Sequence, residues 1–213
     1  LIKLDSVFQK FEFSKLFEYS ELYVYLKSAL GSVNFQLGNY KKGFEQTDIA
    51  IEYLKQNNDD YNINLLDIYL NAGLFTCMYL PELSMKYLTP AKEIIDKHNL
   101  QNTIVNAKYL NCVGFTFANL GNIEDAYDAL TDAINVLEKS AYIENIHLYV
   151  SSNIKLAQLD ILAQAQFPEK DLFQQASKRI DYCEKIAIDY GGNNTIFLAD
   201  VYATKALLLS YSK

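Results

Sequence analysis

The chain has 213 residues, 50% of them hydrophobic and 21% charged, which is enough apolar material for one domain with a continuous core. Its net charge of −7, with 19 basic residues scattered and not gathered on one helix face, argues against nucleic-acid binding by this segment alone. No apolar run reaches the roughly 18 residues that span a bilayer, and the acidic residues near the start do not fit a secretory signal, so no membrane contact and a cytoplasmic setting are expected.

Residues 1–19 read as a leading helix, strongest from Leu4 to Phe17. The chain starts at Leu1, not Met, and this helix runs straight into a helical array, so a fragment lacking an N-terminal output domain is expected. A helix pair follows over 20–56, where Gly31, Gly38, Gly43 and Ala50 stand at intervals of 7, 5 and 7. A weaker pair over 60–98 carries Ala72, Ser84 and Ala91, with Pro81 near its turn. The pair over 101–139 restores the first skeleton, with Gly114, Gly121, Ala126 and Ala133 at the same intervals. In a fourth pair, over 142–190, Tyr142 to Gln166 is followed by Lys170 to Tyr190 behind the helix-starting Pro168. Gly191-Gly192-Asn193-Asn194 is a stop-and-cap signal ahead of a terminal helix over 194–212. The apolar face of that last helix, around Leu198, Val201 and Leu207 to Leu209, is expected to be exposed, as a cap or as an oligomer contact.

The spacing has a physical cause. Two antiparallel helices approach to about 8–10 Å only where side chains are small. Gly38 and Gly121, each in a Leu-Gly-Asn turn, are suited to the left-handed conformation that ends a helix. Large apolar residues such as Phe44, Ile51, Leu130 and Ile134 flank the small ones at helical spacing. The expected fold is all-α, a right-handed α-solenoid of stacked antiparallel helix pairs with nine or ten helices, forming a single domain over 1–213.

Catalytic chemistry finds little support. His98 and His147 have no Cys, Asp or His at lasting metal-ligand spacing. Asp59-Asp60 and Glu124-Asp125 sit where helices begin, and the helix dipole accounts for negative charge there. Gly191-Gly192 lacks the Lys-Ser/Thr and the preceding strand of a phosphate loop. Cys77, Cys112 and Cys183 each fall inside an apolar helix, as buried thiols do. Neither an enzyme, a metal site nor a cofactor is expected.

The four-position skeleton resembles the tetratricopeptide repeat, which has small residues at its eighth, twentieth and twenty-seventh positions and a turn glycine between its helices. The family's early tryptophan is replaced here by Lys27 and Leu110, and its closing proline is missing. Ala50, Ala91 and Ala133 are 41 and 42 residues apart, against a family period of about 34. The surplus is about two turns, which lengthens the helices without rotating their buried faces. First helices line the concave face of such an array. If Gly31, Ala72 and Gly114 are equivalent, the resemblance places Tyr25, Ser28, Ser32 and Phe35 there, then Tyr69, Gly73 and Thr76, then Lys108, Asn111, Phe115 and Asn119. Asn71, Asn111 and Asn153 recur at 40 and 42 residues, and such an amide ladder suits the backbone of an extended peptide.

Carboxylate-clamp members of the family place Lys and Asn where this chain has Ser28 and Ser32, which disfavours a co-chaperone. Tall degenerate repeats are instead similar to the peptide-pheromone receptors of low-GC Gram-positive bacteria, the Rap, NprR, PlcR and PrgX group. That resemblance implies a peptide-binding sensor domain of a cytosolic quorum-sensing transcriptional regulator. A short signalling peptide would lie in the groove, the domain would form a homodimer, and DNA would be reached only through a missing N-terminal part. The alternative is a scaffold that holds an extended segment of a protein partner and answers to no peptide signal.

Overall fold

The computed structural model describes residues 20–57, 63–140, 145–164, 167, 170–191 and 196–211. The leading helix over 1–19, Asp59-Asp60, Pro168 and Gly192 to Asn194 lie outside these residues. The described residues form nine α-helices and no strand. They divide into two compact units, Leu1–Asn99 and Leu100–Lys213.

The first unit contains α1 (Ser20–Gln36), α2 (Tyr40–Asn57), α3 (Ile63–Tyr79) and α4 (Pro81–Lys97). α1 packs on α2 and α3 on α4, while α3 also touches both helices of the preceding pair. The second unit contains α5 (Ile104–Leu120), α6 (Ile123–Lys139), α7 (Ile146–Ala163), α8 (Leu172–Gly191) and α9 (Ile196–Tyr211). Its pairs α5/α6 and α7/α8 follow the same rule, α7 touching both α5 and α6, and α9 touching both α7 and α8. Within each unit, therefore, the first helix of a pair stacks on both helices of the pair before it.

The two Leu-Gly-Asn turns are built alike. Gly38 (φ 75°) and Gly121 (φ 84°) take the left-handed conformation. The Gly38 N–H donates to Phe35 O at 3.0 Å and the Asn39 N–H to Asn34 O at 2.8 Å. Gly121 and Asn122 donate to Ala118 O and Phe117 O at 3.2 and 2.9 Å. Both are Schellman caps, which satisfy carbonyls that a helix end leaves without partners. Between α3 and α4 no such glycine exists; Pro81 starts α4 directly, where its missing N–H costs nothing.

Small residues stand at the closest helix approaches. Ala50, Ala91, Ala126 and Ala133 are fully buried, as is Ser84. A methyl group at Gly31 would collide with the Thr47 hydroxyl, and one at Gly114 would fall 2.5 Å from Leu130 Cγ. Around these points the first unit buries Leu65, Leu66, Tyr87, Leu88, Ile94 and Ile95, and the second Leu130, Leu137, Leu156, Ile161 and Ile180. All three cysteines are buried thiols. The last helix departs from expectation: Leu198, Val201 and Leu208 are buried because α9 packs on α7 and α8, and only Leu209 of the named leucines is exposed.

Candidate functional site

In the first unit the outward sides of α1 and α3 enclose a concavity of about 730 Å³. Val24, Leu54 and Ile68 are its buried members. Tyr25, 70% exposed, lines it with Ser28 and Ser32 from α1 and Asn71 from α3. Sequence reasoning missed the remaining polar lining, which is Glu21, Asn64 and Asp67. Those two carboxylates face no lysine or arginine among the lining side chains. Such a volume lies within the roughly 300–1,000 Å³ of ordinary ligand sites.

Four other residues expected on this face point elsewhere. Phe35 is 3% exposed, stacks on Phe75 at 5.5 Å and meets the edge of Phe44 at 5.0 Å. Its ring also fills the space over Gly43 that a side chain would occupy. Tyr69 is buried, Gly73 abuts Leu88, and the buried Thr76 hydroxyl donates to Ala72 O at 2.8 Å.

The residues named on α5 and α7 lie in the second unit, and most of their polar atoms have partners inside the protein. Asn111, 4% exposed, donates to Ser152 Oγ at 2.8 Å. Asn119 Oδ1 accepts from Lys155 Nζ at 3.2 Å, and that ammonium lies 5.2 Å from the Phe115 ring. Lys108 is exposed. Asn153 is 5% exposed; it donates to Tyr149 O at 3.0 Å and accepts from Arg179 at 3.3 Å. The 42-residue period joining Asn111 and Asn153 thus places both at buried positions of successive first helices. Asn111→Ala is expected to lower stability by about 1–3 kcal/mol, because truncation leaves the buried Ser152 hydroxyl without this partner; the shift of the denaturant midpoint measures it.

A second cavity, about 650 Å³, lies wholly in the second unit between α6, α7 and α8. Its walls include Leu159, Phe167 and Leu172 together with Glu124, Asp128 and Asp160. The α7/α8 connection beside it is held by Gln164, whose Oε1 accepts the Leu172 and Phe173 N–H groups at 2.7 and 3.1 Å and so caps α8. Asp160 is 1% exposed, and Arg179 Nε stands 3.4 Å from its Oδ2. The same guanidinium donates to Asn153 Oδ1 and to the Tyr127 hydroxyl, both at 3.3 Å. Burial pushes the Asp160 carboxyl up to about 6, against the opposing pull of Arg179 and Tyr127. Sequence reasoning missed this group, although an Asp inside the apolar run of α7 and the chain's sole arginine were both visible.

Among the described residues, no cluster of His, Cys, Asp or Glu could hold a metal ion, and no helix is long and apolar enough to cross a membrane. Compared with protein-family models, curated proteins and solved structures, the chain matches none of them.

Proposed function

We propose that this chain is a peptide-recognition module whose primary site is the α1/α3 concavity of the first unit. The observation that carries the reading is the convergence of Tyr25, Ser28, Ser32 and Asn71 in one cavity with an apolar floor. The Asn71 amide offers both a donor and an acceptor to a peptide backbone. Tyr25 adds a rigid amphipathic surface at low entropic cost. Glu21 and Asp67 favour a peptide that carries positive charge and disfavour an acidic one.

The resemblance to tetratricopeptide pheromone receptors extends this reading to a cytosolic quorum-sensing regulator. In that setting a peptide bridging α1 and α3 would bias the angle between consecutive helix pairs and so reposition an output domain, provided it binds the two arrangements with different affinity. The test is selection of heptapeptides from a random display library on the full chain, followed by calorimetric titration of the enriched sequence. Tyr25→Ala and Asn71→Ala are each expected to weaken binding about tenfold or more without moving the denaturation midpoint. Affinity unchanged from the native chain in both variants would place the peptide elsewhere.

A further inference from the structure

The cavity between α6, α7 and α8 has no part in the reading above, and its chemistry is specific. Asp160 Oδ2 is fully buried, yet no donor is aligned to hydrogen-bond it. Arg179 does not complete it: the guanidinium stands off at 3.4 Å while its terminal nitrogens serve Asn153 and Tyr127. A carboxylate accepts up to about four hydrogen bonds, and an unmet buried acceptor is costly, so this oxygen has capacity for another donor.

The charge around it points to the kind of donor. Glu124, Asp128 and Asp160 supply three negative charges to the lining, against Lys170 within it and Arg179 beside it, a net of −1. The Lys170 ammonium is held 4.7 Å from the centre of the Phe167 ring. Leu159, Phe167 and Leu172 supply apolar wall on which methylene groups would be buried.

We propose that this cavity binds a primary alkylammonium ion, with the charged head donating to Asp160 and the stem lying along Leu159, Phe167 and Leu172. A small free amine and the side chain of a lysine in a bound peptide share this chemistry. The Asp160 side chain is 1% exposed while that of Arg179 is 29% exposed, so entry of the ammonium requires the Arg179 side chain to swing aside and exchanges its contact for a tighter ammonium–carboxylate bond.

Calorimetric titration of the full chain with pentylamine, with 1-pentanol as the uncharged control, tests the head group without any substitution. Pentylamine should bind at least tenfold more tightly, and equal affinity, or no saturable binding of the amine, would overturn the proposal. Asp160→Asn should weaken pentylamine at least tenfold. Ala163→Phe, which puts a ring into the cavity one helical turn from Asp160 and leaves the Asp160–Arg179 pair in place, should weaken binding at least tenfold; unchanged affinity in this variant would also overturn it. N-acetyl-lysine methylamide distinguishes the sources: affinity matching pentylamine supports a peptide side chain, and binding of pentylamine alone supports a small free amine.

Discussion

Gly114→Val is expected to lower the stability of the second unit by about 3 kcal/mol, the upper end of the usual cost of overpacking a core. A Cβ at this position would sit 2.5 Å from Leu130 Cγ, 2.8 Å from Leu130 Cδ2 and 3.3 Å from the Ala126 carbonyl oxygen. Leu130 is fully buried and has no solvent to move into, and the Ala126 carbonyl belongs to the backbone of α6. Valine must therefore force α5 and α6 apart, which disturbs Ala126 and Ala133 as well. Gly114→Ala is a sharper comparison, because its gain in helix propensity, about 1 kcal/mol, offsets part of the same clash. Gly121→Ala tests a different cause. Nothing stands in the way of a methyl group there, but φ is +84°, so a loss of about 1 kcal/mol from the left-handed conformation alone is expected. Denaturant midpoints should rank the variants Gly114→Val as the most damaging, and a Gly114→Val protein as stable as Gly121→Ala would contradict the close approach of α5 and α6.

Arg179→Met is expected to cost about 3 kcal/mol at pH 7.5, because it strands the Asp160 carboxylate without its counter-charge. This is the low end for a broken buried pair, since the Arg179 side chain keeps 29% of its surface exposed while that of Asp160 keeps 1%. Asn153 Oδ1 and the Tyr127 hydroxyl lose a donor in the same variant. The penalty depends on pH. Asp160 is raised from 3.8 to about 6 in the folded chain, so its contribution to stability is fully present below the unfolded value and is lost as pH rises through about 6. Removing Arg179 takes away a lowering influence, so the carboxyl of the variant protonates still more readily. The difference in unfolding free energy between the native chain and Arg179→Met should accordingly be smaller at pH 5 than at pH 7.5. A difference that does not change with pH would show that Asp160 is not the group left stranded.

The hairpins were legible in the sequence because their signals are local. A Leu-Gly-Asn turn needs only a residue that tolerates positive φ and two donors in register, and both copies form the same cap. α6 was legible for a second reason. Its buried residues Ala126, Ala129, Leu130, Ala133, Ile134 and Leu137 trace one stripe against the acidic residues Glu124, Asp125, Asp128 and Asp132, and the period decides the face.

The first helices offered no such stripe. In α3 the run Leu65, Leu66, Ile68, Tyr69 and Leu70 is buried almost without interruption, because a first helix is covered by its own partner and by the pair before it. Periodicity then cannot choose the outward face, which is why Phe35, Tyr69 and Thr76 were expected in a groove while Asn64 and Asp67 were not. The asparagine spacing was a true regularity with two meanings. It marks equivalent positions, but whether an amide at such a position meets a peptide or the next helix depends on packing, and Ser152 and Arg179 supply the partners at Asn111 and Asn153. The Asp160–Arg179 pair links residues 19 apart on α7 and α8, and only the hairpin brings them together.

A peptide received on the α1/α3 face must perturb the backbone of those two helices. Nuclear magnetic resonance of the isotope-labelled full chain, titrated with the library-selected heptapeptide, tests it most directly. Saturable shifts of backbone amides concentrated in residues 21–32 and 64–71 are the predicted result. Shifts concentrated in other helices, with those two stretches unmoved at saturation, would contradict it.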